Sequence, residues 1–345
     1  MRLLKKIANV KSFISDFYIY EGNIFNIVTE QKFENIKKQN EVLSFGEHII
    51  TKDIISGNSN IIDIKNNIVN GLFKIDAVNY PYFTFYEYDE SDKEGVFDYS
   101  CQKILFETKD WIGRNIIENY IFTDDLICRD IKTGNVLWQR DLGIKYNYFK
   151  EADYQGEPPV EVQAKVIKFL GVYKDELWLV LNSGLLALDI KTGKETRYIK
   201  EGKMAFGEPF FEDFKGYFGY DTVLDEEKGI IFNLNLHFYI EYDLNSNKNY
   251  FDSYSFKESS QKNGLVLNYI GGYDAENIYA YEGSKNNRFA IFSRDKKEII
   301  SSGEILEAKD KFPAIRDLQY GAGKLYVLDH YNTLHVFEEE EIDRN

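Results

Sequence analysis

The chain has 345 residues, with 42 basic against 57 acidic side chains and a formal net charge of −15, a field that repels nucleic-acid phosphates and excludes charge-driven binding to DNA or RNA. With 26 Tyr, 26 Phe and only 5 Pro it is dense in strand-forming aromatics, and its two cysteines, Cys101 and Cys128, have neither CxxC nor Cys/His spacing, which excludes the familiar zinc and redox motifs. No window reaches the roughly 18 uninterrupted apolar residues of a membrane helix, and Lys5, Lys6, Lys11 and Asp16 interrupt the N-terminal apolar stretches, so a soluble, cytoplasmic protein is expected.

Short alternating apolar stretches follow one another along the chain. The first are Phe17-Tyr-Ile-Tyr20 and Ile24-Phe-Asn-Ile27, followed by Ile61-Ile-Asp63 and Val96-Phe-Asp98, each of the latter running into an Asp. The clearest internal similarity comes next: Leu126-Ile-Cys-Arg-Asp130-Ile-Lys-Thr133-Gly134 and Leu185-Leu-Ala-Leu-Asp189-Ile-Lys-Thr192-Gly193 share the string Asp-Ile-Lys-Thr-Gly. Alternation into Asp, a tight turn and alternation out again is a hairpin pattern, in which Asp caps the turn through its side chain and Gly supplies the positive φ that closes it. Fainter copies run through Tyr239-Ile-Glu-Tyr-Asp243, Ala290-Ile-Phe-Ser293 and a truncated Leu334-His-Val-Phe337.

Another apolar stretch precedes each of the later copies, as in Tyr120-Ile-Phe122, Leu177-Trp-Leu-Val-Leu181, Ile230-Ile-Phe232 and Leu325-Tyr-Val-Leu328, so the repeating unit is a four-stranded sheet. Intervals between Asp63, Asp98, Asp130, Asp189 and Asp243 are 35, 32, 59 and 54 residues. They scatter around the roughly 40–50 residues of a propeller blade, with loops of variable length taking up the difference.

The string Asp130-x-x-Thr133-Gly134-x-x-x-Trp138 resembles the PQQ-like blade repeat of quinoprotein and WD40-like β-propellers. The resemblance is specific over about residues 119–199 and implies an all-β fold, a single closed β-propeller spanning 1–345, with an aromatic docked between neighbouring blades. Counting the copies gives about seven four-stranded blades, with eight as the alternative, and the N-terminal strands Phe17–Tyr20 and Ile24–Ile27 are expected to close the ring and remove its exposed edges. Quinone chemistry does not follow, because Arg197 stands at the docking position of the next copy and no vicinal cysteine pair is present. No cofactor is expected.

Catalytic signatures are also missing. The sequence contains no GxxxxGK[ST], GxSxG, HExxH or EF-hand loop, and Gly321-Ala-Gly323 reads as a turn between strands, since Tyr326 stands where a dinucleotide loop needs its third glycine. His48, His237, His330 and His335 are dispersed, so no metal site is expected, and both cysteines are expected to be buried core residues.

The two long intervals hold the candidate site. The first carries Tyr146, Tyr148, Phe149, Glu151, Asp153 and Tyr154 before Pro158-Pro159, and the second carries Phe210, Phe211, Glu212, Asp213, Phe214, Tyr217, Tyr220 and Asp221. Aromatics ringed by carboxylates suit a protein-binding surface, while the competing reading packs the same aromatics between blades. The acidic runs at 87–92 and 338–341 read as solvated charge. These features point to a non-enzymatic protein that is monomeric when unbound and binds another protein, without nucleic-acid or membrane partners. A bacterial immunity protein neutralising a basic toxin is its particular form. An assembly scaffold, or a sensor or enzyme holding a small ligand in the central channel, is the alternative.

Overall fold

The computed structural model describes residues 1–14, 16–33, 41–53, 55–63, 68–87, 93–150, 158–204, 218–282, 287–306 and 314–338. Its strands form eight antiparallel meanders of four strands, the blades of a β-propeller; Glu201–Met204 adds a fifth strand to the sixth blade, parallel to Tyr250–Ser255, and a separate two-stranded ribbon lies between the fourth and fifth blades. Blades 1 to 4 occupy Val10–Phe33, Glu41–Phe73, Ile75–Thr108 and Asn115–Gln139. Blades 5 to 7 occupy Val166–Ile199, Val223–Ser255 and Tyr269–Glu304. Blade 8 combines Ile315–Gly321, Lys324–Asp329 and Leu334–Glu338 with the N-terminal strand Arg2–Ile7. By contacts the chain divides into two compact units, Met1–Ile75 with Phe256–Asn345, and Asp76–Ser255.

Eight blades correct the count of about seven, and the correction lies at the N-terminus. Phe17–Tyr20 and Asn23–Asn26 do not complete the last blade; they are the two middle strands of a full blade of their own. Its third turn is a disguised copy of the repeat, Asn26-Ile-Val-Thr-Glu30 in place of Asp130-Ile-Lys-Thr-Gly134. Asn26 Oδ1 accepts the amides of Val28 and Thr29, both at 2.9 Å, as Asp130 Oδ1 accepts those of Lys132 and Thr133 at 3.1 and 2.8 Å. Glu30 adopts φ 59°, the left-handed conformation that Gly134 takes at φ 72°.

N-terminal closure holds with a different strand. Arg2–Ile7 pairs antiparallel with Leu334–Glu338, setting Leu3 opposite Phe337 and Lys6 opposite His335. Deleting residues 2–7 would leave Leu334–Glu338 as an uncovered edge, a template for pairing with other chains. The shortened protein is expected to elute from a size-exclusion column as dimers and larger species, and unchanged monomeric elution would count against this closure.

Blade 5 shows why its sequence reads as nearly continuous apolar strands. Leu177, Leu179, Leu181, Leu186 and Leu188 face a core shared with Phe122, Cys128 and Trp138 of blade 4. The alternate residues Trp178, Val180, Leu185 and Ala187 face Ile231, Ile240 and Tyr242 of blade 6. Period-two alternation thus serves two buried faces, and each large aliphatic side chain buried there contributes about 1.5–3 kcal/mol.

The same unit uses one docking position. The side chain eight residues after the turn Asp reaches the corresponding turn of the next blade in three successive blades: Phe106 from blade 3, Trp138 from blade 4 and Arg197 from blade 5. A Cβ on Gly134 would stand 2.6 Å from the Phe106 ring, and one on Gly193 2.6 Å from the Trp138 ring, so these rings lie against bare glycine backbone. Trp138 Nε1 also donates to the Ile190 carbonyl at 2.8 Å. Arg197 works by hydrogen bonds, donating to the carbonyls of Leu244 and Ser246 at 2.9 and 3.3 Å. Cys128 is buried as expected and Cys101 is not: it lies exposed in the third turn of blade 3, outside the alternating pattern.

Candidate partner-binding face

Four antiparallel strands alternate in direction, so the turn between the second and third strands lies at the same end of a blade as the connection leaving the fourth strand. Both long intervals are such connections, from blade 4 to blade 5 and from blade 5 to blade 6. They therefore emerge at the same end of the Asp76–Ser255 unit as the Thr123–Leu126 turn of blade 4.

The first connection is tied down at several points. Arg140 Nη1 donates to the Gly193 carbonyl at 3.1 Å, and Arg140, Lys145 and the Tyr146 hydroxyl converge on the Glu195 carboxylate. Burial pushes the Glu195 carboxyl up, but hydrogen bonds from Lys145 and Tyr146 and the cationic charges of Lys145 and Arg140 outweigh it and hold the group below its ordinary value. Farther on, Asn147 Oδ1 accepts the Ala164 amide and Asn182 Oδ1 accepts the Lys165 amide, which fastens the returning strand to blade 5.

Between these anchors the chain forms the ribbon, Tyr148–Lys150 paired with Val160–Val162. Its register places Phe149 opposite Glu161, and Tyr148 opposite Val162. Because side chains alternate, Phe149 projects from one side and Val160 from the other. Phe149 and Val160 are each 57% exposed, and Ile144 just before the ribbon is 80% exposed. Tyr146 is different. It is buried, its ring meets Tyr198 edge-on at 5.0 Å, and it packs in the blade 4–blade 5 core.

Of the second connection, Phe218 is buried against Phe251, whereas Tyr220 is 74% exposed. Lys168, on the first strand of blade 5, donates to the carbonyls of Tyr220 and Thr222 at 2.7 and 2.8 Å and so fixes the backbone from which Tyr220 projects. Burial depresses the Lys168 ammonium, offset in part by the neighbouring Asp221, and burial raises the Asp221 carboxyl against the pull of Lys168. Glu151, Asp153 and Tyr154, with Phe210, Phe211, Glu212, Asp213, Phe214 and Tyr217, lie outside the described residues. Of the sequence candidates, Tyr148, Phe149, Tyr220 and Asp221 thus belong to this end of blades 4–6, and Tyr146 supports it from within.

Sequence reasoning missed a cleft of about 640 Å³ at the same end, formed by the Asp124–Ile127 turn, the start of the first connection at Gln139–Leu142 and its return at Gln163–Val166. No motif marks it, because its three segments are separated along the chain and Gln163–Val166 joins the other two only where the connection returns to blade 5. Among the described residues no group of His, Cys, Asp and Glu is placed to hold a metal ion, and no helix is long and apolar enough to cross a membrane.

No family model matches the chain, and no curated protein matches its sequence. Solved structures do match in shape. Sqt1 of Saccharomyces cerevisiae superposes with a TM-score of 0.60 at 10% identity, over 98% of this chain and 99% of Sqt1. The computationally designed protein Ika8 gives 0.57 at 9% identity over 96% of both chains, and BamB of Moraxella catarrhalis 0.51 at 12% identity over 100% of this chain and 99% of BamB. Identities this low carry the fold alone: the chain is an all-β propeller with four-stranded blades.

Proposed function

We propose that the protein is a non-enzymatic, protein-binding propeller that engages its partner through the end of blades 4–6 where the two long connections emerge. The observation that carries this reading is the anchored ribbon with Phe149 and Val160 more than half exposed, shortly after the exposed Ile144. A two-stranded ribbon gains little stability from apolar side chains that it leaves exposed, whereas a partner covering them gains the burial. Tyr220, held out by the Lys168 clamp, adds a second aromatic anchor.

The docking of Trp138 on the Gly193 turn supports a PQQ-like repeat within the propeller class. A basic partner is favoured by the net charge of −15, and a toxin neutralised in the bacterial cytoplasm by an immunity protein is the particular version of it, resting on that charge and on the absence of catalytic motifs in the sequence.

The experiment is to retrieve the partner from the native host with the wild-type chain and measure its affinity for the double variant Phe149→Ser/Val160→Ser. Loss of a hot-spot anchor of about 2 kcal/mol weakens binding by about thirtyfold. Unchanged affinity in a correctly folded variant would remove the ribbon from the interface.

A further inference from the structure

The 640 Å³ cleft is walled by chemistry of two kinds. Its apolar surface comes from Ile127, Leu142 and Val166, each partly exposed, over the buried Leu126 and Ala164. Asp124, Asp125 and Asp141 stand exposed around it, and none of the three has an ion-pair partner among the described residues. Arg140 also lines the cleft, but its charge is already met by Glu195 at 3.3 Å and its Nη2 is hydrogen-bonded to the Tyr146 hydroxyl at 2.5 Å. Lys165 is thus the one cation lining the cleft without a carboxylate partner among the described residues.

From this we infer that the cleft receives an arginine or lysine side chain of the partner protein, a proposal that rests on the binding reading above. A long cationic side chain is amphipathic: its methylene stem suits the partly exposed Leu142 and Val166 and its head group suits carboxylates at the rim. The carboxylates come from two segments, the Asp124–Asp125 turn and Asp141 after the last strand of blade 4, and guanidinium fits best because its five N–H donors fan out in a plane.

The turn is built to present these acids. Leu126 is buried with φ 58°, a conformation uncommon for a branched apolar residue, and its carbonyl accepts the Arg140 amide at 3.1 Å. The Thr123 hydroxyl accepts the Ile127 amide at 3.1 Å, closing the turn with Asp124 and Asp125 at its tip.

The test uses the full chain, isotopically labelled, and two blocked tripeptides as probes, acetyl-Leu-Arg-Leu-amide and its citrulline counterpart, which keeps the shape and removes the charge. Titration followed by NMR is expected to show the arginine peptide binding at least about tenfold more tightly than the citrulline peptide, with shifts at the Leu126 and Lys165 amides. Asp125→Asn/Asp141→Asn should abolish that difference, and Lys165→Met should strengthen arginine binding. Equal binding of the two peptides, or binding by neither, overturns the inference and leaves the ribbon result standing. Conversely, charge-selective peptide binding together with unchanged partner affinity in Phe149→Ser/Val160→Ser would retain the cleft and reject the ribbon.

Discussion

Replacing Trp138 by Ala is expected to lower the stability of the Asp76–Ser255 unit by about 3–5 kcal/mol, the range for removing a large buried aromatic from a packed core. The ring has three roles. It fills the core between blades 4 and 5, lies against the bare Gly193 backbone, and satisfies the Ile190 carbonyl through Nε1. Ala leaves a cavity and an unpaired carbonyl together. Trp138→Phe keeps most of the ring and loses the donor, so its cost should be about 1 kcal/mol plus the small change in volume. Trp111, Trp138 and Trp178 are the only tryptophans and all fall within Asp76–Ser255, so tryptophan fluorescence in urea reports on that unit by itself, and the two remaining indoles serve as probes in either variant. Equal midpoints for Trp138→Ala and wild type would show that the docking position does not hold neighbouring blades together.

The same position explains what was legible in the sequence. Asp130–Gly134 and Asp189–Gly193 could be read because Asx capping and a positive φ each demand a narrow set of residues. Trp138 could be read because its side chain type marks the docking position. Phe106 and Arg197 do the same work by different physics, ring on glycine in one and guanidinium on carbonyls in the other, so identity-based comparison passes over the first and counts the second as a lost copy. Blade 1 was hidden for a related reason. Asn26 accepts the turn amides as Asp does, and Glu30 tolerates the left-handed φ at a cost, so the fold of the repeat survives where its letters do not. The cleft had no such signature, because Asp124 and Asp141 meet across the third and fourth strands of blade 4 and Lys165 joins them only where the connection returns to blade 5.

Blade 8 carries the buried pair Asp329 and His335, with His335 Nε2 at 2.9 Å from Asp329 Oδ2 and both side chains out of contact with water. A carboxylate can only accept, so Nε2 carries the proton in this pair. The other oxygen, Oδ1, accepts the amides of Tyr331 and Thr333 at 2.9 and 2.8 Å and shapes the turn into Leu334–Glu338, the strand on which Arg2–Ile7 closes. Asp329→Ala strands three donors at once and is expected to cost about 3–5 kcal/mol, as for a buried pair that loses one partner. Asp329→Asn should cost less, about 1.5–3 kcal/mol, because Oδ1 still accepts the amides and the imidazole can move its proton to Nδ1 to accept from the new amide.

Acid should act on the same pair. Burial alone would raise the Asp329 carboxyl, but the His335 hydrogen bond and the Thr333 and Tyr331 amides outweigh it and hold the group below the usual carboxylate range. Because the folded value lies below the unfolded one, this contribution is fully present above the unfolded pKa of about 3.9 and is lost as the pH falls through the folded value. Wild type should therefore lose stability below about pH 4 more steeply than Asp329→Asn, measured by circular dichroism as the urea midpoint of each protein across the acid range. Parallel acid profiles for the two would mean that the charge on Asp329 adds nothing to the turn on which the N-terminal strand closes.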